Sequence, residues 1–308
     1  MFHVFISLAL IAFVGSGMRF IFPETDIENF RRSINKMVLY VILPALIFNV
    51  VYHAEPGKEF YDIPIAAIGG ILSALMVAAV IFYFIPLPPN TKGALILASA
   101  FSNVTYLGLP VLTGFFAEIP EKIAVVSVLF EVATSPVLLS IGVMVAIYFG
   151  KKNNLSASDI LKRILKLPPL WALGIVLAMK FLAIPVPEFF LLATKTLSAT
   201  AVGLMILSLG MALRFKKIIH LKPILLSVLI QLAFIPLVVF QIGKLLNMTD
   251  PYFEASVIEA AMPTQLLTLV VADEFGLDTE VLAQAIFIST VLSAGTIPLF
   301  RYLFFMHV

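Results

Sequence analysis

Long apolar stretches alternate with short polar segments along the whole chain. A membrane-spanning helix needs about 20 mostly apolar residues, and ten stretches come close to or exceed that length. The longest connection, from Lys151 to Leu167, is too short to fold as a separate soluble domain. The sequence therefore predicts ten transmembrane helices, over Val4–Ile21, Ile34–Tyr52, Ile63–Ile85, Gly93–Phe116, Ile123–Phe149, Pro168–Ile184, Phe189–Leu213, Ile224–Leu246, Ala255–Val271 and Val281–Phe305.

The composition supports lipid as the natural solvent of this chain. Of the 308 residues, 61% are hydrophobic and 12% are charged, whereas soluble domains average roughly 45–50% and 25%. This excludes a soluble enzyme and a disordered chain. The net charge of +2 comes with scattered basic residues and argues against nucleic acid as a partner. The absence of cysteine excludes disulfides, thiolate metal sites and a cysteine nucleophile.

The basic residues predict the orientation of the chain in the membrane. With the N-terminus outside, 14 of the 20 Lys and Arg residues fall on the inner side. Cytoplasmic loops carry such an excess of positive charge. We therefore expect a multi-pass protein of the plasma (inner) membrane with both termini outside.

Ten spans divide into two halves of five around a basic linker. The first half covers residues 1–150, the cytoplasmic linker 151–167 and the second half 168–308. Because five is odd, the second half must enter the membrane inverted relative to the first. Inverted repeats of this kind are typical of secondary transporters.

The fourth span of each half is interrupted by proline and polar residues. In span four these include Asn103, Gly108 and Pro110, and in span nine Pro263 and Gln265. Proline removes an N–H and displaces the carbonyl four residues earlier. Exposed backbone at membrane depth is tolerated only where protein or a wet cavity surrounds it. Matching breaks in two halves indicate a transport site, and the half-helices that follow would direct positive dipole ends at an anion.

These two segments resemble the crossover motifs of a known family. Ser102-Asn-Val-Thr-Tyr-Leu-Gly-Leu-Pro-Val-Leu112 and Ala260-Ala-Met-Pro-Thr-Gln265 are similar to motifs of the auxin efflux carriers, which include plant PIN-formed exporters and bacterial carriers for malate or malonate. The resemblance implies the fold of bile-acid symporters and NhaA-type antiporters. Helices one, two, six and seven would form a scaffold that often dimerises, and helices three to five and eight to ten a moving transport domain in which helices four and nine cross.

The resemblance also implies where a substrate carboxylate is held. Asn103 and the backbone near the two prolines would bind it, with neighbouring polar residues completing the site. Two departures from the family are the short central loop and Glu259, which stands where a neutral residue is expected. The expected substrate-binding residues are Asn103, Thr105, Gly108, Pro110, Pro263, Thr264 and Gln265.

Acidic residues inside the spans are costly and indicate function. Glu131 lies in span five and Glu259 lies one turn before Pro263. We expect both to couple transport to H⁺ or Na⁺, with no cofactor and no resident metal. Gln231 and Gln241 in span eight are further candidates to line the site, although such residues more often join helices. Gly203 and Gly210, on one face of span seven, are expected to allow close helix packing.

The sequence as a whole predicts a secondary active transporter for a small organic anion, a mono- or dicarboxylate, with an elevator-like alternating-access mechanism. The alternative is a monovalent cation/proton antiporter of the same fold. An intramembrane enzyme is disfavoured because the spans carry no paired aspartates. The expected partners are the anion, the bilayer and a second copy in a homodimer. Substrate identity, direction of transport, coupling ion and oligomeric state, together with the roles of Lys195 and Glu131, stay open at this stage.

Overall fold

The structure is a computed structural model that describes residues 2–54, 57–150, 165, 168–212 and 220–305. The described chain is helical almost throughout, and the predicted linker 151–167 lies outside it except for Leu165. We number its helices α1 (Phe2–Gly17), α2 (Glu24–His53), α3 (Glu59–Phe84), α4 (Pro89–Ala100), α5 (Val104–Phe115), α6 (Pro120–Phe149), α7 (Pro168–Phe181), α8 (Glu188–Met211), α9 (Leu221–Leu245), α10 (Tyr252–Ala260), α11 (Leu267–Phe275) and α12 (Thr279–Phe305).

Six helices within the described residues are long and apolar enough to cross a membrane. They are α2, α3, α6, α8, α9 and α12, with 24 to 30 residues each, where about 20 suffice. The predicted spans one, four, six and nine correspond to shorter helices: α1, the pair α4 and α5, α7, and the pair α10 and α11. The chain is therefore a multi-pass helical membrane protein. The full count of ten crossings and the inverted repeat stay predictions.

Prolines shape several helices without ending them. Three helices contain a five-residue π-helical segment that ends two residues before a proline. Proline lacks an N–H, and its ring displaces the carbonyl four residues earlier, which falls in the middle of each segment. The local change from i+4 to i+5 bonding absorbs this displacement. The segments and their prolines are Val38–Ile42 with Pro44, Val104–Gly108 with Pro110, and Ile230–Phe234 with Pro236.

The helices group into two compact units. Unit 1 contains Met1–Gly57, Thr105–Val128 and Leu165–Leu213. Unit 2 contains the remaining three segments, Lys58–Val104, Leu129–Ile164 and Arg214–Val308. Predicted spans one, two, six and seven thus fall in unit 1, and spans three, eight, nine and ten in unit 2. Spans four and five are divided, because α5 from Thr105 and the start of α6 belong to unit 1.

Within unit 1, two glycines set the packing of α1 against α8, and a Cβ on Gly15 of α1 would come within 2.3 Å of the carbonyl oxygen of Leu207. A Cβ on Gly210 would come within 2.0 Å of the carbonyl oxygen of Ala12, so the two backbones meet there directly. A Cβ on Gly203 would meet nothing within 4 Å. The prediction of close packing is therefore right for Gly210 and wrong for Gly203, because only the former faces α1.

Two basic side chains of unit 1 cap helix C-termini. Arg19 donates from Nε to the carbonyl oxygen of Met211 at 2.7 Å, at the end of α8. Lys180 donates to the carbonyl oxygens of Val51 and Tyr52 at 3.1 and 3.0 Å, at the end of α2. Cations stabilise these positions because the last carbonyls of a helix lack intrahelical partners and carry partial negative charge.

In unit 2, α3 packs against α4, α9 and α10, and α12 packs against α4 and α9. A charged pair joins the beginning of α10 to the end of α12: Arg301 Nε donates to Glu254 Oε1 at 2.5 Å, and both side chains are largely buried. At the other end of α12, the carboxylate of Asp278 accepts from the N–H of Val281 at 3.1 Å and from the Thr91 hydroxyl at 2.8 Å. These contacts hold the helices around the two breaks described next.

Candidate functional site

Two interrupted helices of unit 2 are hydrogen-bonded to each other at their breaks. One break separates α4 from α5 after Ala100, and the other separates α10 from α11 after Ala260. An antiparallel bridge joins Ser102 to Thr264. In this bridge the N–H of Asn103 donates to the carbonyl of Pro263 at 2.6 Å, and the N–H of Gln265 donates to the carbonyl of Phe101 at 2.8 Å. We call residues 101–103 and 261–266 the crossing.

The crossing forms because each break supplies what the other lacks. Backbone polar groups in a membrane must be paired within the protein. Pro263 has no N–H with which to continue α10, and the carbonyl of Glu259 instead accepts from the N–H of Met262 at 3.2 Å. The carbonyl of Pro263 is then available to the other break. Pairing the two segments satisfies groups that a single broken helix would leave exposed.

Ser102 and Thr264 fasten the crossing to the helix ends. The hydroxyl of Ser102 donates to the carbonyl of Ala260 at 3.2 Å, and that of Thr264 donates to the carbonyl of Ala98 at 2.7 Å. The N–H of Thr264 donates to the hydroxyl of Ser289, on α12, at 3.2 Å. These bonds give both hydroxyl groups a backbone partner, so Ser102 and Thr264 act as structural supports.

Gln231 of α9 connects both breaks. Its Nε2 donates to the hydroxyl of Ser102 at 2.8 Å and to the carbonyl of Met262 at 2.9 Å. The sequence singled out Gln231 only as a candidate lining residue together with Gln241, which the structure leaves exposed. The signal that separates them is position: Gln231 lies in the π-helical segment five residues before Pro236.

Asn103 and Gln265 occupy the opposite side of the crossing. Side chains alternate between the two sides of an antiparallel pair, so they face away from Ser102 and Thr264. We call a buried polar atom open when no described residue offers it a hydrogen-bond partner. Both Nδ2 and Oδ1 of Asn103 are open, as is Oε1 of Gln265. Buried polar groups are nearly always bonded, so this cluster of open atoms at a helix break indicates a ligand site.

Two buried carboxylic acids also belong to unit 2. Glu259 is fully buried in the last turn of α10, directly before the crossing. Glu131 is buried on α6 and accepts a hydrogen bond from the hydroxyl of Ser135 one turn later. The hydroxyl oxygen of Thr134, beside this pair, is open. Both acids are therefore shielded from water, and Glu131 has hydroxyl oxygens beside it.

The structure brings most of the predicted site residues together. Asn103, Pro263, Thr264 and Gln265 form the crossing in unit 2, and Glu259 adjoins it along the chain. The three others lie in unit 1 on α5, where all are at least largely buried: Thr105, Gly108 and Pro110. The side chains of Asp273 and Glu274, near the end of α11, are exposed.

The side chains of the crossing offer amide and hydroxyl groups as ligands, and the adjoining Glu259 adds a carboxylate. Across the described residues, no three Asp, Glu or His side chains converge as a metal site. A monovalent cation is compatible with such oxygen atoms, whereas transition metals prefer imidazole or thiolate. The arrangement can bind a small polar solute or a cation beside a buried acid.

Long apolar helices, two of them interrupted and paired through a buried polar crossing, define a membrane protein built to handle a polar solute. The chain belongs to the family described as membrane transport protein, whose model matches residues 3–301. This is the auxin efflux carrier family that the two motifs resemble, so that prediction is confirmed. The protein is accordingly a membrane transporter and not an enzyme.

Archaeal and bacterial relatives extend along nearly the whole chain. An uncharacterised transporter of Methanothermobacter thermautotrophicus is 30% identical over 87% of each chain. One of Methanocaldococcus jannaschii is 28% identical over 90% of each chain. The uncharacterised transporter YfdV of Escherichia coli is 21% identical over 91% of this chain and 90% of its own. The similarity therefore includes both breaks.

Proposed function

We propose that the protein is a secondary active transporter of a small organic anion, a mono- or dicarboxylate. The observation that carries this proposal is the Asn103 carboxamide, which is fully buried at the crossing with both polar atoms open. An amide with a free N–H donor at the break of a membrane helix suits a carboxylate oxygen. Its burial makes a purely structural role costly, because an unbonded buried polar group loses about 1–3 kcal/mol.

The helices that leave the crossing favour a negative charge there. α5 begins directly after Asn103, and α11 begins two residues after Gln265. Both helix N-termini therefore start at the breaks, where the helix dipole attracts anions. Pro263 and Gln265, ahead of α11, complete the proposed substrate site within unit 2, and Thr264 supports it from the other side of the crossing.

The proposed mechanism is elevator-like alternating access. Helices three to five and eight to ten would carry the substrate past a scaffold of helices one, two, six and seven. The separation of the described residues into two compact units supports this division. The second half of span four falls with the scaffold helices, so a hinge near Val104 is part of the proposal.

Glu259 and Glu131 are proposed to couple transport to an ion. A buried acid beside the substrate would repel an anion unless it is protonated or holds a cation, so its occupancy links the two movements. The coupling ion is H⁺ or Na⁺. The rival, a cation/proton antiporter of the same fold, would use the same acid without any organic substrate.

The proposed setting is the plasma (inner) membrane, with both termini outside and two copies forming a dimer. The excess of Lys and Arg in the predicted inner loops supports this orientation. Large apolar side chains on unit 1, among them Phe20, Phe181 and Phe189, are exposed and suit contact with lipid or a second copy.

The test is uptake of labelled malate, malonate, succinate and indole-3-acetate into proteoliposomes, with and without a pH or Na⁺ gradient. We expect one or more acids to be taken up, and Asn103→Ala to reduce that uptake at least about tenfold. Asn29→Ala is the matched control, because Asn29 is exposed at the start of α2. Ion flux without uptake of any acid would contradict the proposal and favour the antiporter.

A further inference from the structure

A surface cavity of unit 1 lies at one end of three long helices. Its volume is about 210 Å³, which is room for about seven water molecules. It is lined by the end of α2, the beginning of α6 and the first two turns of α8, with the polar side chains of Asn49, His53, Glu121, Glu188 and Lys195. Each of these helices is long and apolar enough to cross a membrane, so we expect the cavity at the membrane surface, where the helix ends meet water.

Helix geometry brings these side chains together. Asn49 and His53 are four residues apart on α2, and the other lining residues of α8 follow Glu188 by three, four and seven positions. Both spacings place side chains on one face of a helix. Phe48 and Phe190, each adjacent in the chain to a lining residue, meet edge to face with their ring centroids 5.1 Å apart. This aromatic contact joins α2 to α8 and keeps the two faces side by side.

The charged side chains of the cavity do not neutralise one another. Lys195 Nζ lies 3.5 Å from Glu121 Oε1, and the two side chains are 66% and 77% exposed. An exposed pair at this distance is loose and contributes little. Among the described residues, Glu188 has no cation within ion-pair distance. The cavity therefore offers one cationic group and two carboxylates to a ligand, and it can bind both charges of a zwitterion.

His53 and Asn49 add uncharged polar groups. The Nδ1 of His53 lies 2.7 Å from the carbonyl oxygen of Asn49, which only accepts, so Nδ1 is the donor. In the neutral ring Nε2 is then an acceptor. The Oδ1 of Asn49 is open as well. The cavity is thus richer in acceptors than in donors, which favours a ligand whose cationic part carries N–H groups.

The charges of the cavity follow the order of those in a phospholipid headgroup. Glu188 is the first residue of α8 and Glu121 the second of α6, so both acids stand at helix ends. Lys195 lies seven residues after Glu188, about 10 Å further along α8. Leu192 and Leu197, which are exposed on the same helix, provide an apolar surface beyond the cavity. An aminophospholipid likewise has its ammonium group outermost, its phosphate next and its acyl chains innermost.

We infer that this cavity binds the headgroup of phosphatidylethanolamine, a phospholipid with a primary ammonium group. The phosphate accepts from Lys195, the ammonium group donates to Glu188 and Glu121, and the acyl chains lie along α8. This site is separate from the crossing and gives Lys195 a role outside substrate binding. The inference goes beyond the proposed function and does not depend on the identity of the substrate.

Three phospholipids with identical acyl chains test the inference on the full-length protein. Phosphatidylcholine has a trimethylammonium group without N–H donors, and phosphatidylglycerol has no cationic group. Binding of the dioleoyl forms to the protein in detergent is measured by native mass spectrometry. We expect phosphatidylethanolamine to bind at least about fivefold more tightly than either of the other two, because only its headgroup supplies both charges and the N–H donors.

Two neutral variants locate the site. Lys195→Met and Glu188→Gln should each bring the affinities for the three lipids within about twofold of one another. Both side chains are exposed, so neither change should prevent folding. Lys222→Met and Glu274→Gln are the matched controls, because these side chains are exposed on α9 and α11. Both controls should keep the wild-type preference.

Three results would overturn the inference. The first is equal binding of the three lipids by the wild-type protein, and the second is a preference that survives in both Lys195→Met and Glu188→Gln. The third concerns glycerophosphoethanolamine, the soluble headgroup without acyl chains. If it binds as tightly as the lipid, the cavity serves a soluble zwitterion. A shift from dimer to monomer in Lys195→Met with unchanged lipid preference would likewise assign this face to a second copy and contradict lipid binding.

Discussion

The backbone N–H of Asn103 donates to the carbonyl oxygen of Pro263 at 2.6 Å, so that the break in one helix is bonded to the break in another 160 residues later. The backbone N–H of Asn103 is thus engaged in the crossing, while both polar atoms of its side chain are open. This division separates the two roles of the residue. The main chain maintains the fold, and the side chain is available to a ligand.

Replacing Asn103 by leucine should therefore remove transport without lowering thermal stability. The substitution removes a buried polar group without a partner among the described residues, which is neutral or stabilising by about 1 kcal/mol. Thr264→Val is the contrast, because it removes the hydroxyl that donates to the Ala98 carbonyl and should cost about 1–2 kcal/mol. Melting temperatures in detergent and uptake in proteoliposomes measure both effects. A large loss of stability in Asn103→Leu would mean that the carboxamide is structural.

Neutralising Glu259 should uncouple transport from its ion gradient. Glu259→Gln keeps the shape of the side chain but fixes it without charge, so uptake should lose most of its response to a pH or Na⁺ gradient while exchange of internal for external substrate persists. Glu131→Gln tests the second acid in the same assay. Glu274→Gln is the control, because that side chain is exposed on α11. Gradient-driven uptake that is unchanged in both Glu259→Gln and Glu131→Gln would contradict the proposed coupling.

The sequence predicted the break at Pro263 better than it predicted the partners of either break, because a proline changes the local bonding of its helix through covalent geometry. In span four the break lies at residues 101–103, seven residues before Pro110, which lies inside α5 after a π-helical segment. The bond from Gln231 to Ser102 joins residues 129 positions apart, so only the packing of α9 against the crossing creates it. The two candidate glutamines of span eight look alike in sequence and differ entirely in burial.

Span four shows a second limit of sequence reasoning. The resemblance to the auxin efflux carriers implied that the whole span belongs to one moving body. In the structure Asn103 lies in unit 2 and Thr105 in unit 1, because the break allows the two half-helices to pack with different neighbours. The hydropathy of span four shows only that both of its half-helices prefer lipid or protein to water. It contains no information on which neighbours each half contacts.

Arg301 and Glu254 should stabilise each other by about 2 kcal/mol. Their side chains are 17% and 13% exposed and lie 2.5 Å apart, so removing one partner leaves the other charge largely buried. Arg301→Met and Glu254→Met should each lower the free energy of unfolding. The double variant should lower it by less than the sum of the two single effects. A double-mutant cycle of unfolding in mixed micelles measures this coupling. Strict additivity would show that water or lipid headgroups already screen the pair.

Two glycines of one helix should respond oppositely to the same substitution. Gly210→Ala would place a Cβ about 2.0 Å from the Ala12 carbonyl oxygen, so α1 and α8 must separate. Backbone atoms cannot rotate out of the way, and the expected cost is about 1–3 kcal/mol.

Gly203→Ala, seven residues earlier, meets nothing within 4 Å and should be neutral or stabilising by up to about 1 kcal/mol, because alanine favours helix. Thermal unfolding of both variants in detergent gives the comparison. Because neither glycine belongs to the crossing, substrate affinity should be unchanged in both at temperatures where they are folded. Equal melting temperatures for the two variants would contradict the close contact of α1 with α8. A loss of affinity in Gly210→Ala alone would show instead that this contact influences the substrate site.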